Sequence, residues 1–155
     1  MRIQIDDLTH PKVAVLLQQH LDDMYATSPA ESVHALDLET LRKPDITFWT
    51  AWQQQELLGC GALKTLSTQH AEIKSMRTAR EYLRKGVAAG MLEHIILQAK
   101  ARQLQHLSLE TGSQPFFQPA IALYQTYGFT FCEPFADYKY DPNSKFMTLA
   151  LGSAD

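Results

Sequence analysis

The stretch HAEIKSMRTAREYLRKGVAAGMLEHIILQAKARQ, residues 70–103, decides how this chain is read. Ala71 to Thr78 suits a strand. Val87, Met91, Leu92, Ile95, Ile96 and Ala99 then recur at helical spacing, so a helix anchored by one apolar face follows. Between them lies the basic turn Leu83-Arg84-Lys85-Gly86-Val87-Ala88, with a glycine where a backbone must approach a ligand closely. Small Ala88 and Ala89 leave the N–H groups uncovered, and Arg84 and Lys85 add positive charge. A helix N-terminus carries about +0.5 of an elementary charge, so a turn of this kind attracts a phosphate. The segment therefore reads as strand, anion cradle and helix, an arrangement suited to a phosphorylated cofactor.

Working outward, Arg2 to Ile5 alternates as a short strand, and Thr9-His10-Pro11 opens a helix with Val13, Leu16, Leu17, Leu21 and Met24 on its apolar face. Ser28-Pro29 starts a second helical segment that offers Val33, Leu36, Leu38 and Leu41 to the core and ends at Lys43-Pro44-Asp45. Ile46 to Trp52 and Leu57 to Leu66 are strands joined by the polar turn Gln53 to Glu56. After the long helix come a strand at Leu107 to Thr111 and a short helix at Pro119 to Tyr127 closed by Gly128. Strands at Phe129 to Phe135 and Phe146 to Leu151 complete the pattern. The order β-α-α-β-β-β-α-β-α-β-β describes an α/β fold, a mixed sheet with helices on both faces. A chain of 155 residues without repeat or linker implies one domain over residues 1–155.

Bulk properties exclude several classes. A net charge of −3 gives no footprint for general nucleic-acid or membrane-surface binding. Cys60 and Cys132 are too few and too far apart for a disulfide framework or a zinc site, and the six histidines lack metal-ligand spacing. No apolar run approaches the ~18 residues of a membrane span, and MRIQIDDL lacks a secretory layout, so a cytoplasmic location is expected.

Leu83-x-x-Gly86-x-Ala88 resembles motif A of the GNAT superfamily of acetyl-CoA-dependent N-acetyltransferases, written Arg/Gln-x-x-Gly-x-Gly/Ala. It matches at both small positions and departs at the first, where Leu83 stands in place of a polar residue. Downstream, Ala122-Leu123-Tyr124-Gln125-Thr126-Tyr127-Gly128-Phe129 resembles motif B, A-x-x-L-Y-x-x-x-G-F. The chain as a whole is similar to small bacterial acetyltransferases of this family, some linked to indole-3-acetate metabolism.

The resemblance implies a twisted GNAT sheet splayed at the cofactor site, with acetyl-CoA as cosubstrate, no metal, and direct attack by an amine in a ternary complex. Backbone groups along Met76-Arg77-Thr78, through Met76 and Thr78, would pair with pantetheine, and the Met76 N–H would hold the oxyanion. The N–H groups of Arg84, Lys85, Gly86, Val87 and Ala88 would take the pyrophosphate. Glu72, in the context Ala71-Glu72-Ile73, matches the strand position of the basic glutamate in the histone-acetylating branch, with Glu110 as rival base. Tyr124 holds the place of the tyrosine that approaches the CoA sulfur. A phenol of pKa ~10 stays protonated at neutral pH and can donate to a thiolate. The partners expected are acetyl-CoA, an amine that is a small molecule, and a second copy of the chain, since many relatives are dimers.

Three residue patterns bear on the acceptor and the alternatives. Lys74 shares strand parity with Glu72 and, with Arg77, could hold an acceptor's carboxylate. The polar, aromatic segment Phe135 to Ser144 separates the final strands, where this family builds acceptor pockets. The alternatives are a non-catalytic acyl-CoA-binding module, a protein N-terminal or lysine acetyltransferase, and a nucleotide-binding protein. No GxxxxGK[ST] or GxGxxG motif supports the last of these.

Overall fold

The computed structural model describes residues 1–152, so the last three residues of the expected 1–155 domain lie outside the described part. The elements run β1 (Arg2–Ile5), α1 (Pro11–Thr27), α2 (Leu38–Leu41), β2 (Ile46–Gln53), β3 (Glu56–Thr65), β4 (His70–Thr78), α3 (Val87–Ala101), β5 (His106–Gly112), α4 (Gln118–Thr126), β6 (Thr130–Phe131) and β7 (Ser144–Ala150). They form one seven-stranded sheet in the order β1-β2-β3-β4-β5-β7-β6. β4 and β5 are parallel and joined through α3; the other neighbours are antiparallel. The expected mixed sheet, with its order of strands and helices, is what the chain adopts.

Each sheet face carries its own core. Val87, Met91, Leu92, Ile95 and Ile96 of α3 pack on Ala71, Ile73, Leu107 and Leu109, together with Ile121 and Tyr124 of α4. On the opposite face Val13, Leu16 and Leu17 of α1 pack with Phe48, Trp52, Leu57 and Cys60. α1 starts where the sequence indicated: Pro11 is at its first turn, and the His10 ring Nδ1 accepts the Lys12 N–H at 3.0 Å.

Two expectations shrink. The second helical segment is a 3-10 turn at Ala30–Ser32 and the single turn of α2, whose Asp37 cap accepts the Thr40 N–H at 2.8 Å. Only Leu41 of its four apolar residues is fully buried, too little packing to hold a longer helix. The strand expected over Phe129 to Phe135 is reduced to Thr130–Phe131. The Phe129 N–H is already given to the Tyr124 carbonyl at 3.1 Å, and Pro134 has no N–H to offer a ladder.

The feature that positions the site lies in β4. Cys60 pairs with Arg77 and Ala62 with Lys74, so two steps on β3 face three on β4. The extra residue makes a β-bulge, with Ser75 at φ 55°. The Cys60 thiol donates to the Ser75 carbonyl at 3.3 Å. On its other edge β4 pairs with β5 over three positions only, ending at Glu72↔Ser108, and the two strands then part. Leu92 is fully buried at the centre of the α3 core. Leu92→Ala should therefore cost about 2–5 kcal/mol, read as a lower urea midpoint at unchanged m-value.

Candidate active site

The parting of β4 and β5 opens a cleft of about 910 Å³ that reaches both faces of the sheet. On the α3 side it is lined by Met76, Thr78, Arg84, Gly86, Val87, Ala88 and Tyr124. On the α1 side it is lined by His20, Ser32, His34, Lys74, Ser75 and Arg77, with Glu110 of β5 and Asn143, just before β7, on the facing wall.

The backbone supplies much of this lining. The Ala79 N–H goes to the Leu58 carbonyl at 2.8 Å, so alternation turns Arg77 towards β3 and directs the N–H and C=O of Met76 and Thr78 into the gap. At the start of α3 the chain turns through Arg84 at φ 62° and Gly86 at φ 84°. A Cβ at Gly86 would meet no atom, so glycine is needed there for its left-handed conformation rather than for room. The N–H groups of Leu83 through Ala89 find no acceptor among the described residues; Gly90 is the first to find one, the Gly86 carbonyl at 3.0 Å. Free N–H groups converging at a helix start fit an anionic phosphate group. Arg84 lines the cleft, whereas Lys85 stands outside the lining, its ammonium 5.8 Å from the centre of the Tyr82 ring.

The two glutamates occupy different settings. Glu72 is only 2% exposed and lies beside Lys74 at 3.4 Å. The Tyr138 hydroxyl donates to its carboxylate at 2.6 Å, and Lys74 donates to the same hydroxyl at 2.9 Å. Burial, then the charge of Glu72, pushes the Tyr138 hydroxyl up. Glu72 lines an adjoining cavity of about 660 Å³ under the segment Ala136 to Asn143, which shares Ser32, His34, Lys74 and Asn143 with the cleft. Glu110 lines the cleft and accepts one hydrogen bond, from the Ser144 hydroxyl at 2.8 Å. Burial pushes its carboxyl up, against the opposing pull of Ser144 and Lys74.

Tyr124 is buried in α4 with its ring edge against Phe129 at 5.7 Å. Burial and the charge of Glu110 raise its hydroxyl to about 12, so it is a protonated donor across the neutral range. Among the described residues no three His, Cys, Asp or Glu side chains gather as a metal site.

The sequence left several members of the site unnamed. Tyr138 and Ser144 lie within the segment singled out for the acceptor pocket but had no role of their own, and Asp23 pairs with Arg77 at 2.6 Å. His20 stood one turn beyond Leu16 and Leu17 on the apolar stripe of α1, which was a signal of burial. Ser75 gave none.

A family model described as acetyltransferase (GNAT) family matches residues 13–129. The chain belongs to that family, and its fold and homologues make it an acyltransferase. It is 59% identical, over 97% of its length and all of the relative's, to an uncharacterized N-acetyltransferase, YsnE, of Bacillus subtilis. It is 40% identical, over 87% of its length and 86% of the relative's, to an IAA acetyltransferase of Azospirillum brasilense. Among solved structures, one from Klebsiella pneumoniae named for acyl-CoA N-acyl transfer superposes with a TM-score of 0.77 at 25% identity, covering 97% of both chains. A GNAT family acetyltransferase from Elizabethkingia anophelis, solved with acetyl-CoA bound, has a TM-score of 0.65 at 19% identity, covering 96% of this chain and 97% of that one.

His20 is held down to about 4, chiefly by burial and then by the Arg77 charge. The unfolded histidine titrates near 6.5 and binds more protons between these values, so stability falls as pH drops through that window. Integrated over the shift, the loss approaches about 3 kcal/mol. Urea unfolding at pH 7.5 and pH 4.5 should show a difference of that order that shrinks in His20→Gln.

Proposed function

We propose that this protein transfers an acetyl group from acetyl-CoA directly to an amine, with Glu110 as proton acceptor and Tyr124 as proton donor. The observation that carries this reading is that Glu110 and Tyr124 share the cleft into which the free backbone groups of β4 and α3 point. The anionic end of the cosubstrate suits the N–H groups of Arg84 to Ala88. The pantetheine amides suit the open edge at Met76 and Thr78, as added strands do. The acceptor then approaches from the α1 side.

The amine nitrogen attacks the acetyl carbonyl carbon while the Met76 N–H holds the developing oxyanion. Glu110 takes the proton from nitrogen, directly or through a water. The carbon–sulfur bond breaks, and Tyr124 gives its proton to the departing thiolate, leaving an amide and free CoA. A thioester is already activated, so no covalent enzyme intermediate is required. In this scheme Glu72 serves as the counter-ion that fixes Lys74 and Tyr138. The opposite assignment, with Glu72 as base, is favoured by its place at the vertex of the splay and by the family strand position that it matches.

Glu110→Gln should lower kcat by about 100-fold or more while the acetyl-CoA Kd stays within about twofold, as read by thiol release and calorimetry. A greater loss in Glu72→Gln would reverse the two roles. Retained acetyl-CoA binding with no transfer to any amine would instead favour a regulatory module.

The raised carboxyl of Glu110 means that the base is protonated at pH values where an ordinary carboxylate is still charged. The kcat/KM profile should therefore fall on its acid side at a pH above the usual glutamate range. Tyr124→Phe should lower kcat without moving this limb, whereas Glu110→Gln should abolish it.

A further inference from the structure

One ammonium serves two glutamates. Lys74 lines both the cleft and the adjoining cavity, where Glu110 borders the first and Glu72 the second. The Lys74 side chain is 9% exposed and that of Glu72 3%, so protein atoms rather than solvent decide where the ammonium points. An ammonium drawn to Glu110 would favour the charged form of that carboxyl and make it a weaker base. Glu110 can act only if Lys74 is kept on the Glu72 side.

The hydrogen bonds supply that restraint. A lysine ammonium carries three N–H donors. Lys74 Nζ gives one to the His34 carbonyl at 3.1 Å and one to the Tyr138 hydroxyl at 2.9 Å, and it faces the Glu72 carboxylate at 3.4 Å. Three donors thus meet three oxygens, none of them on Glu110. Tyr138 gives its own proton to Glu72 at 2.6 Å, so one hydroxyl ties the ammonium to the carboxylate. Its ring is held by those of His34, Phe135 and Phe146, with centroids 5.0–5.3 Å away. The segment that carries it is fastened by the Ser32 hydroxyl on Asp141 at 2.6 Å.

We propose that Tyr138 is a positioning residue for the reaction: by holding the Lys74 ammonium on Glu72, it keeps the Glu110 carboxyl free to take the acceptor's proton. Burial raises that carboxyl; the Ser144 hydroxyl of β7 and the charge of Lys74 oppose it, and Glu72 and Asp141 add to it. Tyr124 of α4 and Tyr138 itself feel the Glu110 charge in turn. Among these groups Lys74 is the cation, and the Tyr138 hydroxyl governs how near to Glu110 it comes. This inference rests on the acetyl-transfer reading with Glu110 as base, and deepens it.

The test is the titration of the Glu110 carboxyl, followed by carbon-13 NMR of labelled glutamate and assigned by its loss in Glu110→Gln. Tyr138→Phe removes one oxygen and frees a Lys74 N–H to turn towards Glu110. The titration should move down by about one pH unit, with the acetyl-CoA Kd unchanged. The acid limb of kcat/KM should follow it, measured by thiol release with the fastest acceptor in a library of primary amines. Plateau kcat should fall severalfold as the base weakens. Lys74→Gln removes the charge and should move the titration up, and Tyr138→Phe added to it should bring no downward shift. A titration unmoved in Tyr138→Phe, or a change confined to the acceptor's KM, overturns the positioning role and leaves acetyl transfer standing. An acid limb that moves up in Tyr138→Phe, as loss of a donor to the base itself requires, makes Glu72 the base and overturns the role with the Glu110 assignment. Acetyl-CoA binding with no amine turned over overturns acetyl transfer and the role together.

Discussion

The site depends on one backbone irregularity, the extra residue that β4 carries at Ser75. A regular β4 would keep its edge straight and could pair with β5 along its whole length, burying both rows of N–H and C=O groups in a ladder. The bulge instead bends and twists the strand, as such insertions do. Pairing stops after Glu72↔Ser108. Two strands in a sheet then stand apart with unpaired backbone between them, a configuration that is costly unless something else pairs with it. The bulge is braced by the Cys60 thiol on the Ser75 carbonyl. It also has space because Gly61 lies opposite: a Cβ there would come within 2.9 Å of Met76, Met91 and Ile95.

The same bulge limits what strand periodicity can say. Period-two alternation puts Ala71, Ile73, Ser75 and Arg77 on one face, so Arg77 would point into the α3 core. In the structure Met76 takes that face and Arg77 joins Glu72 and Lys74 on the other, where it meets Asp23 of α1. The α1 side of the sheet therefore gains a guanidinium that counting by twos assigns to the core. The order of elements, the sheet and the turn at Gly86 were legible because they follow from apolar spacing and a glycine turn, which are local. The separation of Glu72 from Glu110 was not, because it depends on which cavity each carboxyl borders, and that is set by strands far apart in sequence.

Electrostatics divides the two glutamates more sharply than distance does. Glu72, Lys74 and Tyr138 form a closed circuit in which the carboxylate has a cation and a hydroxyl donor, while Lys74 has further contact with the His34 carbonyl at 3.1 Å. The Glu72 carboxylate is thereby committed to two partners that fix its position. Glu110 has one neutral donor and a buried setting. Burial raises the proton affinity of the carboxyl against the opposing pull of Ser144, and a raised proton affinity suits the role of general base proposed for it.

The two halves of the cleft are also built from different materials. The α3 half is made of backbone: the edge of β4 and the N–H groups at the helix start, which tolerate many side chains as long as the glycine turn and the bulge remain. The α1 half is made of side chains. Its outer wall, between β6 and β7, has little ladder and is pinned by Phe135 and Tyr138 on Phe146 and by the Ser32 hydroxyl on Asp141 at 2.6 Å. Such a wall can be changed one contact at a time without disturbing the sheet. A short motif can therefore identify the backbone half from sequence. The α1 half is specified only where α1, the bulge and the loop before β7 come together in three dimensions.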